Sequence, residues 1–339
     1  MTRGSTAKEK QRVLLVGTGG SISHVGRHRL DYVEYSDGGV ILEGTELLER
    51  IPNVAAYADV VVSNFRRIAS AEIGPLEWLE LNSLIHDRIA SDPSIDGVVV
   101  VHGTATLEET AYFLNLTLKI EQTTVLVGAQ RPLEVLSTDA ELNLLNAVRV
   151  AVDPAARGLG VLVVLNDEIQ AAREVTKGST LRLETFRSPD MGMLGYADPD
   201  RIAIYRAPVR THAPNTAFDV RGKTTLPRVD VVYSYAGADG VAVRAFEREG
   251  AQAIVVAALA PAKSPAAQET ALKAASANGL LVVRSSRAGS GRVVPRAAFS
   301  KQGYVVADNL NPQKARVLAM VALSHTTDRN RIQEYFDAY

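Results

Sequence analysis

The sequence predicts an α/β protein of two domains, a larger N-terminal one on a mostly parallel, doubly wound sheet and a smaller α/β one behind it. Three observations predict this. Short apolar runs such as Val13-Leu14-Leu15-Val16 and Val98-Val99-Val100-Val101 stop at glycine or just before a polar turn, as strands buried on both faces do. Helix-period segments alternate with them. At 339 residues the chain exceeds one ordinary core.

Composition narrows the function. Lys+Arg 37 against Asp+Glu 38 leaves a formal net charge of -1, which favours a small-molecule partner over nucleic acid or an anionic membrane. The absence of cysteine removes disulfides, thiolate metal sites and cysteine nucleophiles. The six histidines show no H-E-x-x-H pattern, so a protein-built zinc site is not expected. Residues 1–10 are polar, without the apolar stretch of a signal peptide, and the run at 253–260 is too short to span a bilayer. A cytoplasmic location is the expectation.

Taken in order, the first strand ends at Gly17-Thr18-Gly19-Gly20-Ser21-Ile22, which puts Thr18 at a carboxyl strand end, where open α/β sheets bind ligands. A dinucleotide fingerprint starts at Gly17 and Gly19 but fails at Ile22. Residues 23–39, with Tyr32, Tyr35 and Asp37-Gly38-Gly39, read as a hairpin or mobile loop. A short helix over 43–50 and a strand over 58–65 lead to Ser70-Ala71. Pro75 opens a helix whose apolar face is Leu76, Leu79, Leu84, Ile85 and Ile89. The strand at 97–101 runs into His102-Gly103-Thr104-Ala105-Thr106, and a helix follows from Glu108 to Leu118. A strand at 125–127 closes on Gly128-Ala129-Gln130-Arg131-Pro132, a helix covers 140–152, and a strand at 160–165 meets Asn166-Asp167-Glu168. The pattern loosens beyond Lys177. Prolines and weak periodicity place a linker at 208–227, giving domains over 11–207 and 228–339. The second should hold strands at 229–235, 253–257 and 280–283 and helices at 240–249, 264–277 and 311–324.

Thr18 and Thr104 both stand beside glycine at strand ends, and Lys177 follows in Val175-Thr176-Lys177. A threonine hydroxyl is a weak nucleophile and needs a base. A buried lysine can be that base, because desolvation disfavours its cation. Backbone N–H groups at the glycine turns are suited to an oxyanion.

These residues carry a resemblance to the bacterial L-asparaginase/glutaminase family over nearly the whole chain. Thr18-Gly19-Gly20-Ser21-Ile22 is similar to its first signature, with serine for its second threonine, and the stretch from His102 to Leu114 to its second. Val127-Gly128-Ala129-Gln130-Arg131-Pro132, Asn166-Asp167-Glu168, Val175-Thr176-Lys177, Val283-Arg284-Ser285-Ser286-Arg287 and Leu310-Asn311-Pro312-Gln313-Lys314 follow in the family's order. The resemblance implies a flavodoxin-like larger domain, a Rossmann-like smaller one, and a homotetramer of intimate dimers whose sites are completed by the neighbouring subunit. It implies a side-chain amide hydrolysed through an acyl-enzyme, with ammonia released and no cofactor. Thr18 becomes the primary nucleophile, Thr104 and Lys177 the second hydroxyl and its base, and either Tyr35 or Tyr32 the loop tyrosine assisting Thr18. Gly19, Ser70, Gly103 and Ala129 become substrate contacts.

Departures from the family pattern gather around the substrate's α-ammonium. Ala105 stands where the family has an aspartate, Ala71 where it has Gln or Glu, and Gly237 where it has an asparagine supplied by the neighbouring subunit. Arg296 falls near a family glutamate, which reverses the charge and suits a substrate carboxylate. The expectation is therefore an amidohydrolase shifted to a substrate without a free α-ammonium. The alternatives are an ordinary L-asparaginase/glutaminase and a catalytically silent binding protein.

Overall fold

The computed structural model describes residues 10–339, so nearly all of the polar opening lies outside the described residues. Strand β1 (Arg12–Gly17) runs near one edge of an eight-stranded sheet, and its side chains from Val13 to Val16 are fully buried. Alternate residues feed opposite faces. Leu14 and Val16 pack with Trp78 and Phe113, whereas Val13 and Leu15 pack with Leu144 and Ala147.

After β1, a short ribbon of β2 (His24–Val25) and β3 (Val40–Ile41) brackets the tyrosine loop. Helix α1 (Gly44–Arg50) starts on a capping box between Glu43 and Glu46. The parallel winding continues through β4 (Asp59–Asn64), α2 (Pro75–Ser91), β5 (Ile95–Val101), α3 (Leu107–Thr117), β6 (Thr123–Val127), α4 (Ala140–Val152) and β7 (Val161–Leu165). Leu76, expected on the apolar face of α2, is 54% exposed. It precedes the buried Ile85 by nine residues, about half a revolution round the helix, and so faces solvent.

The chain then departs from parallel winding. Asn166 and Asp167 take φ 53 and 63, a left-handed pair that reverses the backbone into antiparallel β8 (Glu168–Ala171). A two-stranded ribbon of β9 (Thr176–Lys177) and β10 (Phe186–Arg187) follows, then β11 (Gly195–Ala197) and β12 (Ile202–Ile204). The large sheet runs β12-β11-β8-β7-β6-β5-β1-β4. Strands of two to four residues carry too few alternations to be read in advance, which is why this edge was not expected.

The second sheet runs β13-β14-β15-β16, all parallel, from β13 (Val229–Tyr233), β14 (Ala253–Ala258), β15 (Leu281–Ser286) and β16 (Val305–Val306). Helices α5 (Val241–Arg248), α6 (Ala266–Ala277) and α7 (Ala297–Lys301) connect them, and α8 (Pro312–Leu323) and α9 (Arg329–Ala338) close the chain. Residues 208–227 contain no helix or strand but are packed down, with Phe218 buried against the rings of His325, Tyr335 and Tyr339. One apolar core runs from Leu14 and Phe113 through Phe218 to Leu318 and Phe336, joining the two sheets.

Candidate active site

Strand register assembles the site. Gly17 at the end of β1 lies opposite Asn64 of β4 and Val101 of β5, and Val101 lies opposite Val127 of β6. The four turns that follow therefore emerge side by side at one sheet edge. Their backbones touch: a Cβ on Gly20 would lie 2.2 Å from Gly103 Cα, and one on Gly103 would lie 2.7 Å from Ser70 Oγ. Gly19 adopts φ +102, a conformation side chains resist, and any Cβ there would strike Ile68 O. Thr18, Ser70, Gly103 and Thr104 are all buried at this junction.

The two threonines have different company. Thr18 Oγ1 donates to Val101 O at 2.8 Å, and its backbone N–H goes to the same carbonyl at 3.1 Å. Thr104 Oγ1 accepts from Lys177 Nζ at 2.7 Å and donates to Gln130 Oε1 at 3.1 Å. Desolvation lowers the Lys177 pKa from the ordinary lysine value, so burial favours its neutral amine. Gln130 lies within the Gly-Ala-Gln-Arg-Pro stretch, where no local pattern marks it for this contact.

His102 braces the turn carrying Gly103 and Thr104. Its Nδ1 faces Gly103 O at 2.8 Å and must donate, since a carbonyl only accepts; Nε2 then accepts from Thr110 Oγ1 at 2.9 Å. Full burial lowers the His102 pKa to about 4, so the ring is neutral across the physiological range. Trp78 Nε1 donates to the same Thr110 hydroxyl at 2.9 Å, which ties the turn to α2.

The segment carrying Lys177 is held from both halves of the chain. Glu108 on α3 accepts from the Lys177 backbone N–H at 3.3 Å, from Thr176 Oγ1 at 3.1 Å and from Asn311 Nδ2 at 3.0 Å. Lys314, fully buried on α8, donates to Ala172 O at 2.8 Å, Arg173 O at 3.0 Å and Val175 O. Burial pushes the Lys314 ammonium down to about 8, against the opposing charge of Glu108. Neither bracing residue was singled out in advance, because their roles depend on contacts between segments far apart in sequence.

The loop tyrosines diverge. Tyr35 OH donates to Ser21 Oγ at 3.0 Å, three residues past Thr18, and the Tyr35 ring stands edge-on to His24. Tyr32 OH donates to Leu136 O at 2.9 Å beneath the Arg131 guanidinium. Ala129 is fully buried, while Ala71 and Ala105 are exposed. Gly237 is exposed at φ +81, and Arg296 donates to Pro261 O at 2.7 Å with its guanidinium over Phe299. Both sit in the C-terminal unit. Among the described residues no group of three histidine or acidic side chains could hold a metal, and no helix is long and apolar enough to cross a membrane.

Two joined α/β units, with hydroxyls, a desolvated amine and glycine-rich turns at one sheet edge, define the class as a two-domain α/β enzyme suited to acyl transfer. The family model "Asparaginase, N-terminal" matches residues 12–210, and "Glutaminase/Asparaginase C-terminal domain" matches 228–336. The chain belongs to the asparaginase family and is a hydrolase acting on carbon–nitrogen bonds of linear amides. It is 39% identical over 335 residues to L-asparaginase 2 of Bacillus subtilis, covering 99% of this chain and 88% of that protein. It is 37% identical over 337 residues to the glutaminase-asparaginase of Pseudomonas fluorescens, covering 98% and 92%. The crystal structure of a probable cytoplasmic L-asparaginase from Campylobacter jejuni superposes with a TM-score of 0.93 at 40% identity, covering 97% of this chain and all of that one.

Proposed function

We propose that this amidohydrolase cleaves the side-chain amide of asparagine or glutamine through an ester on Thr18. The observation that carries the proposal is the 2.7 Å contact between Lys177 and Thr104, made at the strand end next to Thr18. Thr18 Oγ adds to the amide carbon while backbone N–H groups of the glycine turns hold the oxyanion. The carbon–nitrogen bond breaks, ammonia leaves with the proton from Thr18, and an ester remains. Water then gives up a proton toward the Thr104–Lys177 pair, cleaves the ester, and regenerates the Thr18 hydroxyl with release of the acid. Tyr35 suits the tyrosine role better than Tyr32, because its hydroxyl is bonded to Ser21, three residues past Thr18, while Tyr32 is engaged with Leu136.

The relatives support asparagine and glutamine over the shifted substrate. They also leave the silent binding protein without support, since those relatives are named as enzymes. A second reading, an amide lacking an α-ammonium, keeps one specific observation in its favour. Ala105, exposed beside Thr104, offers no carboxylate, and Lys177 is tuned by burial alone. Ammonia release from asparagine, glutamine, succinamate and N-acyl-asparagine separates the readings. Efficiency on asparagine or glutamine near 10⁴ M⁻¹s⁻¹ or above supports the first, and a preference for succinamate of about a hundredfold supports the second.

The proposal extends to assembly. A homotetramer of intimate dimers would bring Gly237 and Arg296 of residues 228–339 to the neighbouring subunit's site, with 11–207 as catalytic domain and 208–227 between them. Light scattering on the eluted protein tests this; a monomer with full activity would refute it. A cytoplasmic location is supported by the likeness to the Campylobacter jejuni protein, and cell fractionation decides it.

A further inference from the structure

The Thr104 hydroxyl has one proton and two neighbours, and the neighbours differ in what they can do with it. Gln130 presents its oxygen to Thr104, because its Nε2 donates to Thr180 O at 3.4 Å and Arg182 O at 3.1 Å. The reverse orientation would set an oxygen against two carbonyls and is excluded. An amide oxygen only accepts, so the Thr104 proton goes to Gln130 and an Oγ lone pair faces Lys177. The backbone fixes Gln130 as well, since its N–H donates to Asp139 Oδ2 at 3.0 Å.

We infer that Gln130 is a positioning residue for the Thr104–Lys177 pair, holding the hydroxyl proton away from the lysine until the base is needed. This rests on the proposed role of that pair. At rest Lys177 is the donor in its contact with Thr104; acting as a base requires the hydroxyl to swing from Gln130 to the neutral amine. The proton then moves from Thr104 Oγ to Lys177 Nζ, leaving an alkoxide beside an ammonium. Gln130 thereby supplies the second polar partner in a centre that has only alanine at 105.

Two substitutions should displace the lysine's titration in opposite directions. Gln130→Met keeps the length but lets the Thr104 hydroxyl donate to neutral Lys177, which stabilises the neutral form and lowers the pKa. Gln130→Glu places an anion near the ammonium and raises it. The other charged groups nearby stay the same in both variants. They are Glu108 on α3, Arg182 in the loop after β9, Arg187 on β10 with its ion-pair partner Glu184, and Asp139 bonded to the Gln130 backbone.

The experiment is the pH profile of kcat/KM for ammonia release by the intact protein, whose rising limb reports the free enzyme's base. The limb should move down by about half a pH unit or more in Gln130→Met and up by about one in Gln130→Glu. A purely structural role would change the plateau and leave the limb in place, and that result, or shifts of the same sign, overturns the inference. If Gln130→Glu does not fold, the downward shift in Gln130→Met decides alone. Lys177→Met is the control: a rising limb that survives in it means the pair is not the base, and the underlying reading fails as well.

Discussion

Two threonines at the ends of neighbouring strands differ in what surrounds each. Thr18 is gripped by backbone alone, its hydroxyl on Val101 O, with no titratable side chain bonded to it among the described residues. Thr104 sits between an amine and an amide. The first hydroxyl is oriented by its own strand end with no titratable partner, whereas the second is bonded to an amine whose cation burial disfavours. A nucleophile oriented by rigid backbone and a separate proton-handling pair is the division of labour that a two-step acyl transfer needs.

The largest effect that tests this division is removal of the first hydroxyl. Thr18→Ala should lower kcat by about 10⁴-fold or more, as loss of a covalent nucleophile does. Thr104→Ala should retain more activity than Thr18→Ala, and the reverse ranking in steady-state ammonia release would exchange their roles. Lys177→Met should cost about 10² to 10⁴ and abolish the rising limb of the pH profile. The sign follows from burial. A lysine whose pKa is lowered becomes neutral at lower pH than usual, so activity dependent on the neutral amine rises with pH through that lowered value.

A smaller change sharpens the contrast on the Thr104 side. Ala105→Asp adds a carboxylate beside Thr104, so the kcat/KM ratio of asparagine to succinamate should rise by about tenfold to a hundredfold, the worth of a charge-assisted hydrogen bond. An unchanged ratio would mean the exposed alanine does not face the substrate's ammonium. Lys314→Met removes the donor to three buried carbonyls and should lower unfolding free energy by about 2–4 kcal/mol, measured by denaturant midpoint. Its effect on catalysis should fall on the Lys177 limb, because Lys314 anchors the segment leading to β9.

Much of this was legible in the sequence. The runs around Val13 to Val16 and Val98 to Val101 marked central strands, because burial on both faces demands unbroken apolar residues. Thr18 and Thr104 announced themselves by standing at those strand ends beside glycine. Lys177 was already a candidate base beside the two threonines and the resemblance reinforced it, although periodicity alone does not reveal the two-residue strand that carries it. The antiparallel edge after Asn166-Asp167 stayed hidden, since its strands are too short for a period to show. Gln130, Glu108 and Lys314 were missed for another reason: their roles depend on partners 26, 69 and 139 or more positions away, and no local pattern encodes such contacts. Leu76 misled because an apolar residue in a helix does not state which face it occupies.

In the proposed reaction the acyl group resides on Thr18 and not on Thr104. Rapid acid quench of the wild-type protein during turnover of its best amide substrate, followed by peptide mapping, tests it directly. A mass increase equal to the acyl group is expected on the peptide containing Thr18, absent in Thr18→Ala. An adduct on the peptide containing Thr104, with the Thr18 peptide unmodified, would contradict it.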